Sequence, residues 1–159
     1  MLKLALALQE KLEDEIPALI DEINAEEFPE VPIVPPIQVL RGVRTEMLQR
    51  DLSELPSLAC GIYVRANLAD DEGQQEFSSV SMPYVIDVYL GNESADNLYI
   101  QAHKWALVLD LFVERHASDL LFGYLADEAP DIDISYVLSL RDGTYRQLVS
   151  ATGFIDGTE

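Results

Sequence analysis

Between Ser79 and Leu90 every second residue is apolar: Val80, Met82, Tyr84, Ile86, Val88 and Leu90. That period of two predicts a strand with one face to bury. Its other face carries Ser81, Pro83, Val85, Asp87 and Tyr89. Pro83 cannot donate to a ladder, so the strand is expected to lie at an edge or to bulge there. A single strand buries nothing alone, so the chain must supply sheet neighbours and a cover. Leu58, Cys60, Ile62, Val64 and Ala66 alternate within Ser57–Ala66, with Ala59, Gly61, Tyr63 and Arg65 on the opposite face. Ile132, Ile134, Tyr136, Leu138 and Leu140 alternate again. Arg141-Asp142-Gly143-Thr144 then has the chemistry of a type I′ hairpin turn. The last strand, Tyr145–Ile155, is apolar on both faces: Tyr145, Val149, Ala151 and Ile155 against Leu148 and Phe154. A two-sided final strand needs cover twice, which makes a partner subunit attractive.

The cover for the sheet is a long helix. Gly91-Asn92-Glu93-Ser94 is turn chemistry, with Asn92 or Ser94 available as its cap. Leu98, Ala102, Trp105, Leu109, Phe112 and His116 then step by three and four as far as about Ala117. A second, amphipathic helix is expected from Leu2 to about Asn24. Its apolar stripe is Leu2, Leu6, Leu12, Ile16, Leu19, Ile20 and Ile23, with Glu10, Glu13, Asp14, Asp21 and Glu22 on the other side. Pro17 should kink or divide it. Pro29, Pro32, Pro35 and Pro36 make an extended connector, whose stiffness would hold the first helix at a set distance from the rest. Ile37–Val43 reads as a short strand, Thr45–Leu52 as a helical turn and Asn67–Gln75 as a polar loop. The expected architecture is one α+β domain over residues 1–159: N-terminal helix 1–24, connector 25–36, and sheet with covering helix 57–156. The sheet should be mainly antiparallel, packed by the long helix.

Charge narrows the function. Lys and Arg number 10 against 29 Asp and Glu, a net charge of −19. A hydrophobic fraction of 48% separates the chain from disordered acidic tails. Such a balance repels DNA, RNA and anionic lipid, because phosphate binding needs cations. Cys60 is the only cysteine, so neither an intrachain disulfide nor a cysteine zinc site is expected. No run approaches the roughly 18 apolar residues of a membrane span. A soluble protein made in the cytoplasm is expected.

Catalytic chemistry has little to work with. His103 is expected to be exposed in mid-helix, and His116 to lie near a helix C-terminus, where a cationic ring is favoured. Neither has a nucleophile motif beside it. There is no Gly-x-Ser-x-Gly elbow and no glycine-rich phosphate loop. Asp127, Glu128, Asp131 and Asp133 cluster, as do Asp70, Asp71 and Glu72, but neither group follows the calcium-loop pattern. Both read as solvated loop charge. The chain is expected to be no enzyme and to hold no cofactor or metal. Tyr63 and Tyr89 fall on the faces opposite their strands' main apolar faces. They suit either a subunit interface or ordinary half-exposed positions. Tyr63, Arg65, Tyr89, Leu148 and Phe154 are the candidate interface residues.

These elements together resemble the tail terminator (tail completion) proteins of tailed bacteriophages. The matching features are the N-terminal helix, the strand Met82-Pro83-Tyr84-Val85-Ile86-Asp87-Val88-Tyr89-Leu90, the helix Tyr99–Glu114, and a closing strand pair ending in Gly153-Phe154-Ile155-Asp156. The likeness is in element order rather than in signature residues. It implies a structural virion protein, made in the host bacterial cytoplasm, that forms a hexameric ring on the head-proximal end of the tail tube. Such a ring ends tube growth, meets the tube protein and the neck (connector) protein, and lets DNA pass without specific binding. An acidic channel would keep passing phosphates from sticking. The other readings are a head-completion or neck adaptor, an acidic DNA mimic that inhibits a DNA-binding enzyme and, disfavoured by the missing catalytic motifs, a small hydrolase or carbohydrate-active domain.

Overall fold

A computed structural model describes residues 2–35, 39–41, 58–64, 79–118, 123–125, 130–137 and 144–158. Helix α1 (Leu2–Glu26) is followed by strands β1 (Val39–Arg41), β2 (Leu58–Val64) and β3 (Ser79–Asn92). Helix α2 (Ala95–His116) then precedes β4 (Gly123–Leu125), β5 (Asp131–Val137) and β6 (Tyr145–Thr158). The strands form one six-stranded sheet in the order β1-β2-β3-β6-β4, with β5 also paired to β6. Only β1 and β2 run parallel; the other described pairs are antiparallel. The chain is therefore α+β with a mainly antiparallel sheet.

The alternation that opened the sequence reading becomes the middle of this sheet. β3 pairs with β6 without interruption from Ser79↔Thr158 to Asn92↔Tyr145. Because β3 lies between β2 and β6, the edge expected at Pro83 is only local, and the unbroken register excludes a bulge. The described β2 pairing ends at Val64↔Tyr84, one residue short of Pro83, so on the β2 side the missing donor meets no described partner. β6 is likewise interior: β3 lies on one side, and β5 and β4 share the other.

Tyr84, Ile86, Val88 and Leu90 of β3 and Val149, Ala151 and Ile155 of β6 join one core with both helices. From α2 come Leu98, Ala102, Trp105, Val108, Leu109, Phe112 and Val113. Ser94 caps this helix: it is extended, and its side chain accepts from the Asn97 amide at 3.3 Å. Asn92 Oδ1 in turn accepts from the Ser94 amide at 2.8 Å. The capping hydroxyl supplies an acceptor that the first helical turn otherwise lacks.

α1 departs from expectation in three ways. It is not divided at Pro17. Pro17 and Glu13, whose carbonyl the proline leaves without an amide donor, both lie on the exposed face, where solvent can replace that donor while the opposite face stays packed. Among the described side chains, Leu4 and Leu8 are buried at the start of the helix and Leu6 is exposed. Finally, α1 is not held at a distance. Leu4, Leu8, Leu12, Ile16, Leu19, Ile20 and Ile23 lie in the common core, and α1 packs on α2. Burying this many aliphatic side chains outweighs any spacing that a stiff connector would impose. Thr45–Leu52, Asn67–Gln75 and the Arg141–Gly143 turn lie outside the described residues, and β1 covers three residues of the expected Ile37–Val43 strand.

The connector is fastened to both helices. Asn24 donates from Nδ2 to the Ile33 carbonyl at 2.8 Å and accepts from the Ile33 amide at 2.9 Å. Gln101 on α2 donates to the Pro32 carbonyl at 3.1 Å. Asn24→Ala removes both bonds of the Asn24 clasp, and a loss of about 1–2 kcal/mol in urea unfolding is the expected result.

Candidate subunit interface

The sheet face away from the helices carries the candidate interface residues. Register places Tyr63 opposite Val85, Tyr89 opposite Leu148, and Phe154 opposite Pro83. The alternation of each strand then puts these positions on one face. Arg65 lies outside the described residues, and for Tyr63 the backbone alone is described.

Burial separates the others. Tyr89 and Leu148 are each 5% exposed, whereas Phe154 is 52% exposed. Tyr89 and Leu148 therefore have little surface to offer a partner. The demand for external cover at Leu148 also lapses, because the chain itself covers it. Phe154 remains, beside the exposed Thr152 and the half-buried Pro83 and Val85.

A buried polar pair sits on the same face. Asp87 and Ser150 are opposite each other in register, and the Ser150 hydroxyl donates to Asp87 Oδ1 at 2.5 Å. Both are buried, at 1% and 7% exposure. A charge-assisted hydrogen bond of this kind offsets part of the cost of taking a carboxylate out of water. Strand alternation assigns Asp87 its face correctly, but nothing in the sequence signals its burial.

Two side chains that the sequence leaves obscure organise the helix pair. Lys104, in mid-helix, is 2% exposed. Its ammonium donates to the carbonyls of Val31 at 2.8 Å and Phe28 at 3.2 Å, just beyond the C-terminus of α1. Desolvation holds its pKa below the ordinary lysine value, while Glu30 and Glu27 pull the other way. At the far end of α2, the Arg115 guanidinium forks onto Glu22 of α1 at 2.5 and 2.7 Å and holds that carboxyl below its usual range. His116 Nε2 lies 3.5 Å from Glu15, and its ring lies 5.6 Å from that of Phe112. His103 is exposed and meets Tyr99 edge-on at 4.5 Å. Glu15 and Glu22 on α1 and Phe28 just past its end meet His116, Arg115 and Lys104 in turn, so the two helices run antiparallel.

The remaining acidity is spread out. Glu10, Glu13, Asp14, Asp21 and Glu26 are exposed on α1, as are Asp131 and Asp133 on β5. Among the described residues, no three His, Cys, Asp or Glu side chains converge as a metal site would require. Nor is any described helix long and apolar enough to cross a membrane. No protein-family model matches the chain, and no curated protein matches it.

Proposed function

We propose that this chain is a structural virion subunit, a tail terminator whose copies close into a ring at the head-proximal end of a phage tail tube. One observation carries the reading: the order of helix, strands, helix and closing antiparallel strands. Both helices are gathered into one core against the sheet, which leaves Phe154 exposed on the opposite face. An exposed phenyl ring on a sheet is the kind of anchor that a neighbouring subunit covers. Heterologous contacts repeated around an axis would close the ring. The net charge of −19 supports a channel past which DNA slides without being held. The subunit would contribute surfaces and would catalyse nothing.

Native mass measurement tests the reading. A species of six copies is expected, in place of the 17.8 kDa single chain. Absence of the protein from purified virions would overturn the proposal. Phe154→Asp is expected to abolish the hexamer and leave the thermal midpoint almost unchanged, because the ring is already half in water. The exposed carboxylates of α1 favour one competing reading, an acidic DNA mimic. Co-purification with a DNA-binding enzyme, without ring formation, would select it.

A further inference from the structure

We infer that Phe28 is a docking anchor for a protein surface with an apolar socket ringed by lysine or arginine. Phe28 has φ of +40°, and it is the one non-glycine residue with positive φ among the described residues. Left-handed backbone just past a helix end is usual, but glycine or asparagine normally occupies it. A phenylalanine there is strained, and this one does not repay the strain by burial, since 52% of it is exposed. The surrounding structure holds the conformation in place. The Phe28 carbonyl accepts from Lys104 Nζ and from the Val31 amide, at 3.2 and 3.0 Å. The Asn24 clasp fixes the next part of the connector, where Val34 is also 43% exposed. A strained residue that the fold holds rigidly and leaves in water points to a use outside the chain.

The partner's chemistry follows from the collar. Glu26, Glu27 and Glu30 flank the ring in sequence and are exposed. Glu27 and Glu30 act on the buried Lys104 and Glu26 on Arg115, yet all three carboxylates stay exposed around the ring, so a partner that buries it meets an acidic collar, which an apolar socket with a cationic rim matches. Anionic lipid and nucleic acid fit poorly for the same reason. Two copies meeting symmetrically at this loop would bring the same carboxylates together, so self-contact here is disfavoured too. The inference is independent of the ring reading, since it concerns the opposite end of the molecule's chemistry: a loop beyond α1, not the outer sheet face.

Two measurements on the full chain test it. Phe28→Gly suits the left-handed backbone, so its thermal midpoint should equal or exceed that of the parent. A lower midpoint would make Phe28 a structural residue and overturn the inference. The second probe is an amphipathic helical peptide of leucine and lysine, titrated by fluorescence anisotropy at physiological salt. Phe28→Gly should weaken its binding about tenfold, while Tyr99→Ala, at another exposed aromatic residue, should not. Equal binding by parent and Phe28→Gly would show that charge alone attracts the peptide. An equal loss with Tyr99→Ala would show general stickiness. Either result overturns the inference, and neither bears on whether the chain forms rings.

Discussion

Replacing Lys104 with methionine is expected to destabilise the fold by about 2–4 kcal/mol, although methionine is apolar and of similar length. Pattern arguments would forecast the opposite, because Lys104 is 2% exposed and a buried ammonium is costly. The deciding quantity is what remains after the change. The Phe28 and Val31 carbonyls lie past the C-terminus of α1 and take their 3.2 and 2.8 Å bonds from this ammonium. Methionine offers no donor, so both acceptors lose a charged partner where little water can replace it. The cation also faces the negative end of the α1 dipole, which adds to the loss. Urea unfolding should show a lower midpoint with an unchanged slope. The pH dependence has a definite sign. Burial lowers the folded-state pKa, so the cost of the charged form is present below that pKa. It is relieved as pH rises through the folded value toward the unfolded one. That alkaline gain should vanish in Lys104→Met. An unchanged midpoint would mean that the connector is held by other contacts.

Lys104 also shows where sequence reading stops. Its place within the long helix is legible, but burial of a lysine depends on a carbonyl pair 73 and 76 residues away, which no local pattern records. The expected α1 stripe holds from Leu12 to Ile23 and fails at Leu6, for a different reason. Leu2 and Leu6 form one i, i+4 series, and Leu4 and Leu8 form another. Local spacing cannot choose between them, whereas stepping back by fours from Ile20, Ile16 and Leu12 arrives at Leu8 and Leu4. Strands were clearer, because a period of two leaves one face assignment per strand, and β3 and β6 extend beyond the expected Leu90 and Ile155 only to Asn92 and Thr158. β4 was missed because its three residues are too few to display a period. On the outer face, alternation gave the correct side for Tyr89, Leu148 and Phe154. It gave no measure of cover, so two buried residues and one exposed residue looked alike.

Gly153→Val is expected to cost about 3 kcal/mol or more, the upper range for forcing atoms into a filled site. Strand propensity alone predicts a gain, since valine suits a sheet and glycine weakens one. Packing should reverse that sign. Gly153 faces Tyr84 across β3 and β6, and a Cβ at residue 153 would lie 2.6 Å from Tyr84 Oη, 2.7 Å from Cε1 and 2.8 Å from Cζ. The ring cannot easily yield, because Tyr84 is 2% exposed and belongs to the core. The tyrosine thus lies over the glycine, supplying the side-chain cover that the glycine lacks. Tyr84→Phe should not relieve the clash, since the ring carbons remain, whereas Tyr84→Leu should recover part of it. A double-mutant cycle between the two sites would then show strong coupling. The same burial raises the Tyr84 pKa to about 12 from 10.0. Stability linked to this phenol is complete below pH 10 and is lost as pH rises toward 12, because only the unfolded chain ionises readily there. Tyr84→Phe should remove that alkaline loss, about 2–3 kcal/mol, while leaving the Gly153 constraint intact. If Gly153→Val proved stabilising, the Tyr84 ring would have to move readily, and its raised pKa would then be expected to fall toward 10.0 in the same variant.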